Sequence, residues 1–116
     1  SGLRMDKITW EHFEAVELRV GRIVDVQEFP EASKPAYKIW ADFGDDYGIL
    51  KSSAQITALY DPEELIGREI IGLVNIPPRQ IGPLRSEFLV TGFTNERGEV
   101  VLAMPERPVE PGARLH

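Results

Sequence analysis

Apolar residues recur at every second position in short runs, and no run is long enough for a helix of several turns. Leu18, Val20, Val24 and Val26 alternate along one run, and Tyr37, Ile39, Ala41 and Phe43 along another. Successive side chains of a strand point to opposite faces, so each run can bury one face against a core. A chain written this way forms a sheet, and a sheet must close on itself or stack to cover its apolar side. Further strands are expected over residues 48–53, 70–74, 88–93 and 100–104. The run Ile70-Ile-Gly-Leu-Val74 is nearly all apolar, as for a strand buried on both faces. Gly21 interrupts the first strand, where an isolated glycine marks a bulge or a sharp bend.

Helical signals are few. Thr9 can cap a helix over residues 10–15, with Ile8 and Phe13 placed for a hydrophobic staple and Glu11 and Glu14 at its positive end. Asp61 can cap a one-turn helix that has Pro62 first, Glu63 and Glu64 next, and Gly67 at its end. Residues 30–35 form a loop with proline at both ends, residues 95–98 a turn, and residues 105–112 a proline-rich extended tail. Five or six short strands with a one-turn helix after the third predict an all-β fold. It is a five-stranded Greek-key barrel of the OB type, with a short N-terminal helix and terminal extensions. A β-sandwich is the alternative, but its seven strands are hard to find. The chain's 116 residues make one domain. Residues 8–116 are assigned to it, and residues 1–7 to an extension in which Ser1-Gly2 is a tag remnant and Met5 the native start.

Composition narrows the chemistry. With no cysteine in the chain, disulfides, thiolate catalysis and zinc knuckles are excluded. His12 and His116 are too far apart in sequence to make a metal motif. Asp42, Asp45 and Asp46 lack the frame of a calcium loop and read as a solvated hairpin turn. No phosphate-cradling glycine loop and no nucleophile elbow appears, and neither Ser52 nor Ser53 has a base nearby in sequence. The chain is therefore expected to be neither an enzyme nor a holder of a metal or cofactor. No apolar run of about 18 residues exists to span a membrane, and no signal peptide opens the chain, so a cytoplasmic protein is expected.

The formal net charge is −6, which argues mildly against nucleic acid as a partner. A binder needs local positive potential, however, and Lys34, Lys38, Lys51, Arg79 and Arg85 can supply it if they gather on one face. Residues 75–92 are built for such a role. A strand runs into Asn75, a double proline stiffens its exit, and Arg79 and Arg85 bracket a turn at Gly82-Pro83. Ser86-Glu87 then opens the next strand. Rigid loops that hold polar and cationic groups at the mouth of a β-scaffold serve binding.

Several segments together resemble a known family. Val16-Glu-Leu-Arg-Val-Gly-Arg-Ile-Val24 is similar to the D-x-R-V-G-x-I opening of tRNA-binding domains, the OB-folds found alone or attached to some methionyl- and phenylalanyl-tRNA synthetases. The match extends through Phe29-Pro-Glu-Ala-Ser-Lys-Pro-Ala-Tyr-Lys38, Lys51-Ser-Ser-Ala-Gln-Ile-Thr57, Tyr60-Asp-Pro-Glu-Glu-Leu-Ile-Gly67, residues 75–92 and Val109-Glu-Pro-Gly-Ala-Arg-Leu115. Within that family the chain is similar to the CsaA group of small, dimeric, chaperone-like members. The resemblance implies tRNA across the barrel mouth, contacted by Lys34, Ser53, Gln55, Asn75, Arg79 and Ser86, with Arg85 beside them. Lysine and arginine would meet phosphates, and the serines and asparagine would meet base edges or 2′-hydroxyls. It also implies a homodimer built from the chain termini and unfolded or precursor polypeptides as further partners. The alternatives are a general single-strand binder, which ranks lower because few aromatics fall near the polar mouth to stack on bases, and a peptide-binding chaperone with incidental nucleic-acid affinity. Ile76 and Gly82-Pro83 depart from the family's usual loop.

Overall fold

The computed structural model describes residues 4–116, so the expected tag remnant Ser1-Gly2 lies outside the described residues. The elements are α1 (Trp10–Glu14), β1 (Leu18–Glu28), β2 (Tyr37–Asp42), β3 (Ile49–Ala54), α2 (Pro62–Leu65), β4 (Glu69–Leu73), β5 (Arg79–Ile81), β6 (Leu84–Ser86), β7 (Leu89–Val90), β8 (Gly92–Thr94) and β9 (Val100–Leu102). Five of them form one antiparallel sheet in the order β3-β2-β1-β4-β7. Its two edges come together at a seam with no regular ladder. There Glu87 N–H donates to Lys51 O (2.8 Å), Lys51 N–H donates to Glu87 Oε1 (3.1 Å), and buried Ser52 Oγ donates to Phe88 O (2.6 Å). The result is the nearly closed OB-type barrel that the strand pattern predicts. No helix among the described residues is long and apolar enough to cross a membrane.

Strand β1 shapes the barrel because it pairs with β4 over its first half and with β2 over its second. The register slips between Ile23 and Asp25. That slip flips the inward phase, so Val20, Ile23 and Val26 are buried while Val24 is 42% exposed. The bulge thus sits at Val24, which the alternation had placed inside, and not at Gly21. Gly21 has another cause. A Cβ there would lie 2.6 Å from the Phe43 ring, and one at Gly72 would lie 2.7 Å from it. The two glycines leave room for Phe43, which is fully buried and meets Phe88 edge to face with ring centroids 4.8 Å apart.

Strand β4 also departs from expectation. Ile70, Gly72 and Val74 are buried, whereas Ile71 and Leu73 are only partly so. Its second face is covered in part by the β8–β9 hairpin, with Ile71 N–H donating to Ala103 O (3.3 Å). The run over residues 88–93 splits into β7 and β8 at Thr91, whose N–H and hydroxyl both donate to Ile71 O (3.2 and 2.7 Å). Helix α2 plugs one end of the barrel with fully buried Leu65. Glu64 reaches back to Asp61 N–H (2.8 Å), and Gly67, at φ +89°, donates to Ile23 O (2.8 Å). Thr9 caps α1 as expected. The reciprocal acceptor is the ring of His12, which takes the Thr9 N–H at 3.3 Å.

Both chain ends are fastened to the chain's own barrel. Gly112 N–H donates to Val20 O (2.7 Å), Val20 N–H to Ala113 O (2.9 Å) and Leu115 N–H to Leu18 O (2.8 Å), so the tail extends the sheet beside β1. Glu17 is the hub of this arrangement. Its carboxylate accepts from Arg19 Nε (2.8 Å) and Tyr47 OH (3.0 Å) and faces Arg114 at 3.8 Å. Arg19 in turn donates to Gly112 O (3.0 Å) and Arg114 to Glu14 O (2.6 Å). The Arg19 hydrogen bond, then that from Tyr47, holds the Glu17 carboxyl below the usual glutamate range. A carboxyl with a depressed folded-state pKa contributes stability above its ordinary value, and that contribution is lost as pH falls through the lowered one. The melting temperature is therefore expected to fall as acid is added below the ordinary glutamate range. Glu17→Gln is expected to flatten that part of a thermal-denaturation series against pH; an unchanged acid slope would remove Glu17 as its source.

Candidate nucleic-acid interface

Three segments converge at one end of the barrel: the loop before β2, the end of β3, and residues 75–88 between β4 and β7. They enclose a cleft of about 520 Å³. The segment 75–88, read from the sequence as a rigid loop with a turn at Gly82-Pro83, contains the β5–β6 hairpin around that turn. Its register pairs Arg79 with Ser86, Gln80 with Arg85 and Ile81 with Leu84. Gly82 takes φ +54° at the first turn position. Proline cannot take positive φ at the second, so Gly82-Pro83 fits a type II′ turn, one of the two that match strand twist.

The hairpin register decides which side chains reach the cleft. Arg79, Ile81, Leu84 and Ser86 share one face, and Gln80 and Arg85 share the other. Leu84 and Ile81 pack with Phe29, Ala32 and Ala36 in a small second core. That core fixes the hairpin to the loop that carries Lys34, so the two cationic walls of the cleft are held relative to each other by apolar burial. Of the sequence-predicted residues, Lys34, Ser53, Gln55, Arg79 and Ser86 all line the cleft. Arg85 is exposed on the far face of the hairpin.

Asn75 lies outside the cleft lining. Its Oδ1 accepts from Glu17 N–H (2.9 Å) and its Nδ2 donates to Ala15 O (2.7 Å). The amide thus braces the end of β4 against the link between α1 and β1, leaving one N–H and one lone pair free. Asn75→Ala is expected to lower stability in urea by about 1–2 kcal/mol, since two net hydrogen bonds are lost. A change within error would show the brace to be idle.

Sequence reasoning missed Ser52. Strand alternation turns it inward, where a hydroxyl must be satisfied, and it is the buried polar side chain of the core. Ser86 Oγ stands 3.1 Å from Ser52 Oγ and 3.3 Å from Phe88 O, so the two hydroxyls and that carbonyl form one cluster at the cleft wall. The apolar lining, including Ile76, Pro77, Leu89 and Val90, was also not foreseen.

The charges are sorted. Among the described residues Arg19, Arg22, Arg68, Arg107 and Arg114 each pair with a carboxylate. Lys34, Lys38, Lys51, Arg79 and Arg85 do not, and all five belong to the cleft or to the strands and hairpin beside it. The other unpaired cations are Arg4 and Lys7 near the N-terminus and Arg97 in the β8–β9 turn. Five of the eight unpaired cations among the described residues thus lie at or beside one concavity, an arrangement that attracts a polyanion.

Comparison with known proteins agrees with this geometry. Residues 18–114 match the family model described as "Putative tRNA binding domain". The crystal structure of a CsaA chaperone protein from Picrophilus torridus is 45% identical, covers 95% of this chain and 100% of its own, and superposes with a TM-score of 0.89. That of chaperone CsaA from Bacillus anthracis is 40% identical over 96% of this chain and 100% of its own, also with a TM-score of 0.89. A methionine–tRNA ligase of Methanococcus maripaludis is 33% identical across all of this chain, which spans 17% of that ligase's length. The family match covers β1 through the tail that pairs with it, and so takes in the barrel and all three walls of the cleft. The chain belongs to the tRNA-binding domain family, in its CsaA-like group.

Proposed function

We propose that this protein binds tRNA in the cleft, with Lys34 and Arg79 on phosphates and Ser53, Gln55 and Ser86 on sugar hydroxyls or base edges. Asn75 and Arg85 flank the path. The observation that carries the reading is the segregation of unpaired cations around a cleft whose polar groups lie on rigid walls. Three to five phosphate contacts give a log–log salt slope of about −3 to −4. Affinity for bulk tRNA and for an unstructured strand of equal length, measured across salt, tests this. Tighter binding of tRNA with that slope is expected; equal affinities or a flat salt response would end the reading.

The proposal includes a homodimer. The C-terminal tail is fastened to its own barrel by backbone bonds, yet Trp10 remains 80% exposed, with Ile8, Val109 and Leu115 also open. Full burial of one such side chain is worth about 1.5–3 kcal/mol, and a two-fold partner is the common cover. A monomeric mass in sedimentation at micromolar concentration would remove the dimer. A second reading, a peptide-binding chaperone, is favoured by the apolar half of the lining, where Ile76 and Leu89 are exposed. If that reading is right, unfolded peptide displaces tRNA from the cleft; independent binding of the two separates the functions.

A further inference from the structure

Ser52 borders the cleft from below but is only 1% exposed, so it is out of reach of a ligand. A buried hydroxyl is costly unless it is hydrogen-bonded. Ser52 Oγ meets Phe88 O at 2.6 Å, Ser86 Oγ at 3.1 Å and Ser53 O at 3.4 Å. The first two lie across the barrel seam, where β3 and residues 86–88 share no regular ladder. Beside them stand the two bonds between Lys51 and Glu87. A single side chain thus ties the two edges where backbone pairing fails. Ser86 is the residue that this tie fixes. It ends β6 opposite Arg79, is half-buried, and lines the cleft. Leu84 and Ile81 hold the turn end of the β5–β6 hairpin in the second core; Ser52 meets its base.

We infer that Ser52 is a positioning residue for tRNA recognition. It touches no RNA; it holds the Ser86 hydroxyl and the base of the hairpin in register with Ser53 on the neighbouring wall. The inference rests on the RNA reading of the cleft. A buried carbonyl keeps a donor where one is in reach. Without Ser52, Phe88 O is left with the Ser86 hydroxyl, already 3.3 Å away. Ser86 then turns toward that carbonyl and is lost to the ligand. The competing role for Ser52 is that of a satisfied core hydroxyl, which bears on stability alone.

Binding of bulk tRNA across salt, by variants whose urea transitions show them folded, separates the two roles. Ser52→Ala is expected to weaken binding about fivefold at every salt concentration, the scale of one net hydrogen bond. Its log–log salt slope should stay at the parental value, because no cation is removed. Ser86→Ala should lose about as much. The double variant Ser52→Ala/Ser86→Ala should lose no more than Ser86→Ala alone, since a residue that acts through another then has nothing to act on. Ser52→Cys, with a weaker donor, should fall between Ser52→Ala and the parent. Parental affinity in folded Ser52→Ala, or additive losses in the double variant, would overturn the role and leave the cleft reading intact. If neither Ser52→Ala nor Ser52→Cys folds, Ser52 serves the core and the role is likewise overturned. Absence of tRNA binding by the parent would overturn both the role and the RNA reading.

Discussion

Phe43→Ala is expected to cost about 3–5 kcal/mol in urea denaturation, the largest loss from any single truncation in this barrel. The ring is fully buried, braced by Phe88, and seated over Gly21 and Gly72 on the two strands that build the wall. Removing it leaves a hole that two glycines cannot fill, because neither has a side chain to move. Domains of this size are stable by about 5–15 kcal/mol in total, so the variant should be marginal at physiological temperature. Gly72→Ala probes the same contact from the other side. Its Cβ would approach the ring to 2.7 Å and the Phe88 ring to 3.0 Å, and overpacking of that kind costs about 1–3 kcal/mol. If Phe43→Ala costs under about 1.5 kcal/mol, the glycines were not shaped by the ring.

The double variant Lys34→Ala/Arg79→Ala should lose tRNA affinity by about two orders of magnitude at low salt, roughly 1.4 kcal/mol for each tenfold step. Its log–log salt slope should fall by about two, one for each phosphate contact. Both side chains are exposed and without ion-pair partners, so stability should move by no more than about 0.5 kcal/mol. They stand on separate walls, one on the loop before β2 and one on β5, which makes near-additive losses the expectation. Filter binding of tRNA across salt reads both numbers. A double variant that keeps the parental slope would take the phosphates elsewhere, Arg85 and Lys51 being the next free cations.

Much of the fold was legible because it follows from local rules. The buried series of β2, Tyr37, Ile39, Ala41 and Phe43, is plain period-two alternation, and the caps of α1 and α2 are set by Thr9, Asp61 and their near neighbours. Where pairing partners decide, legibility ended. Val24 looked inward until the register slip beside it turned the phase. Gly21 and Gly72 looked like a kink and an ordinary strand residue, although both answer to a ring distant in sequence. The split at Thr91 arises from bonds to Ile71, twenty residues earlier.

The candidate site divides in the same way. The family resemblance placed Lys34, Ser53, Gln55, Arg79 and Ser86 together at the mouth, because the motifs that carry it are short and local in the sequence. Only the tertiary structure parted Arg79 from Arg85, because one hairpin register sends them to opposite faces. It also gave Asn75 a bracing role, as its partners at Ala15 and Glu17 lie about sixty positions back along the chain. Alternation, capping and composition act over a few residues and are written in the sequence. Closure of the barrel, the sorting of free from paired charges, and the fixing of two cleft walls by a small second core depend on contacts distant along the chain, and those exist only once it has folded.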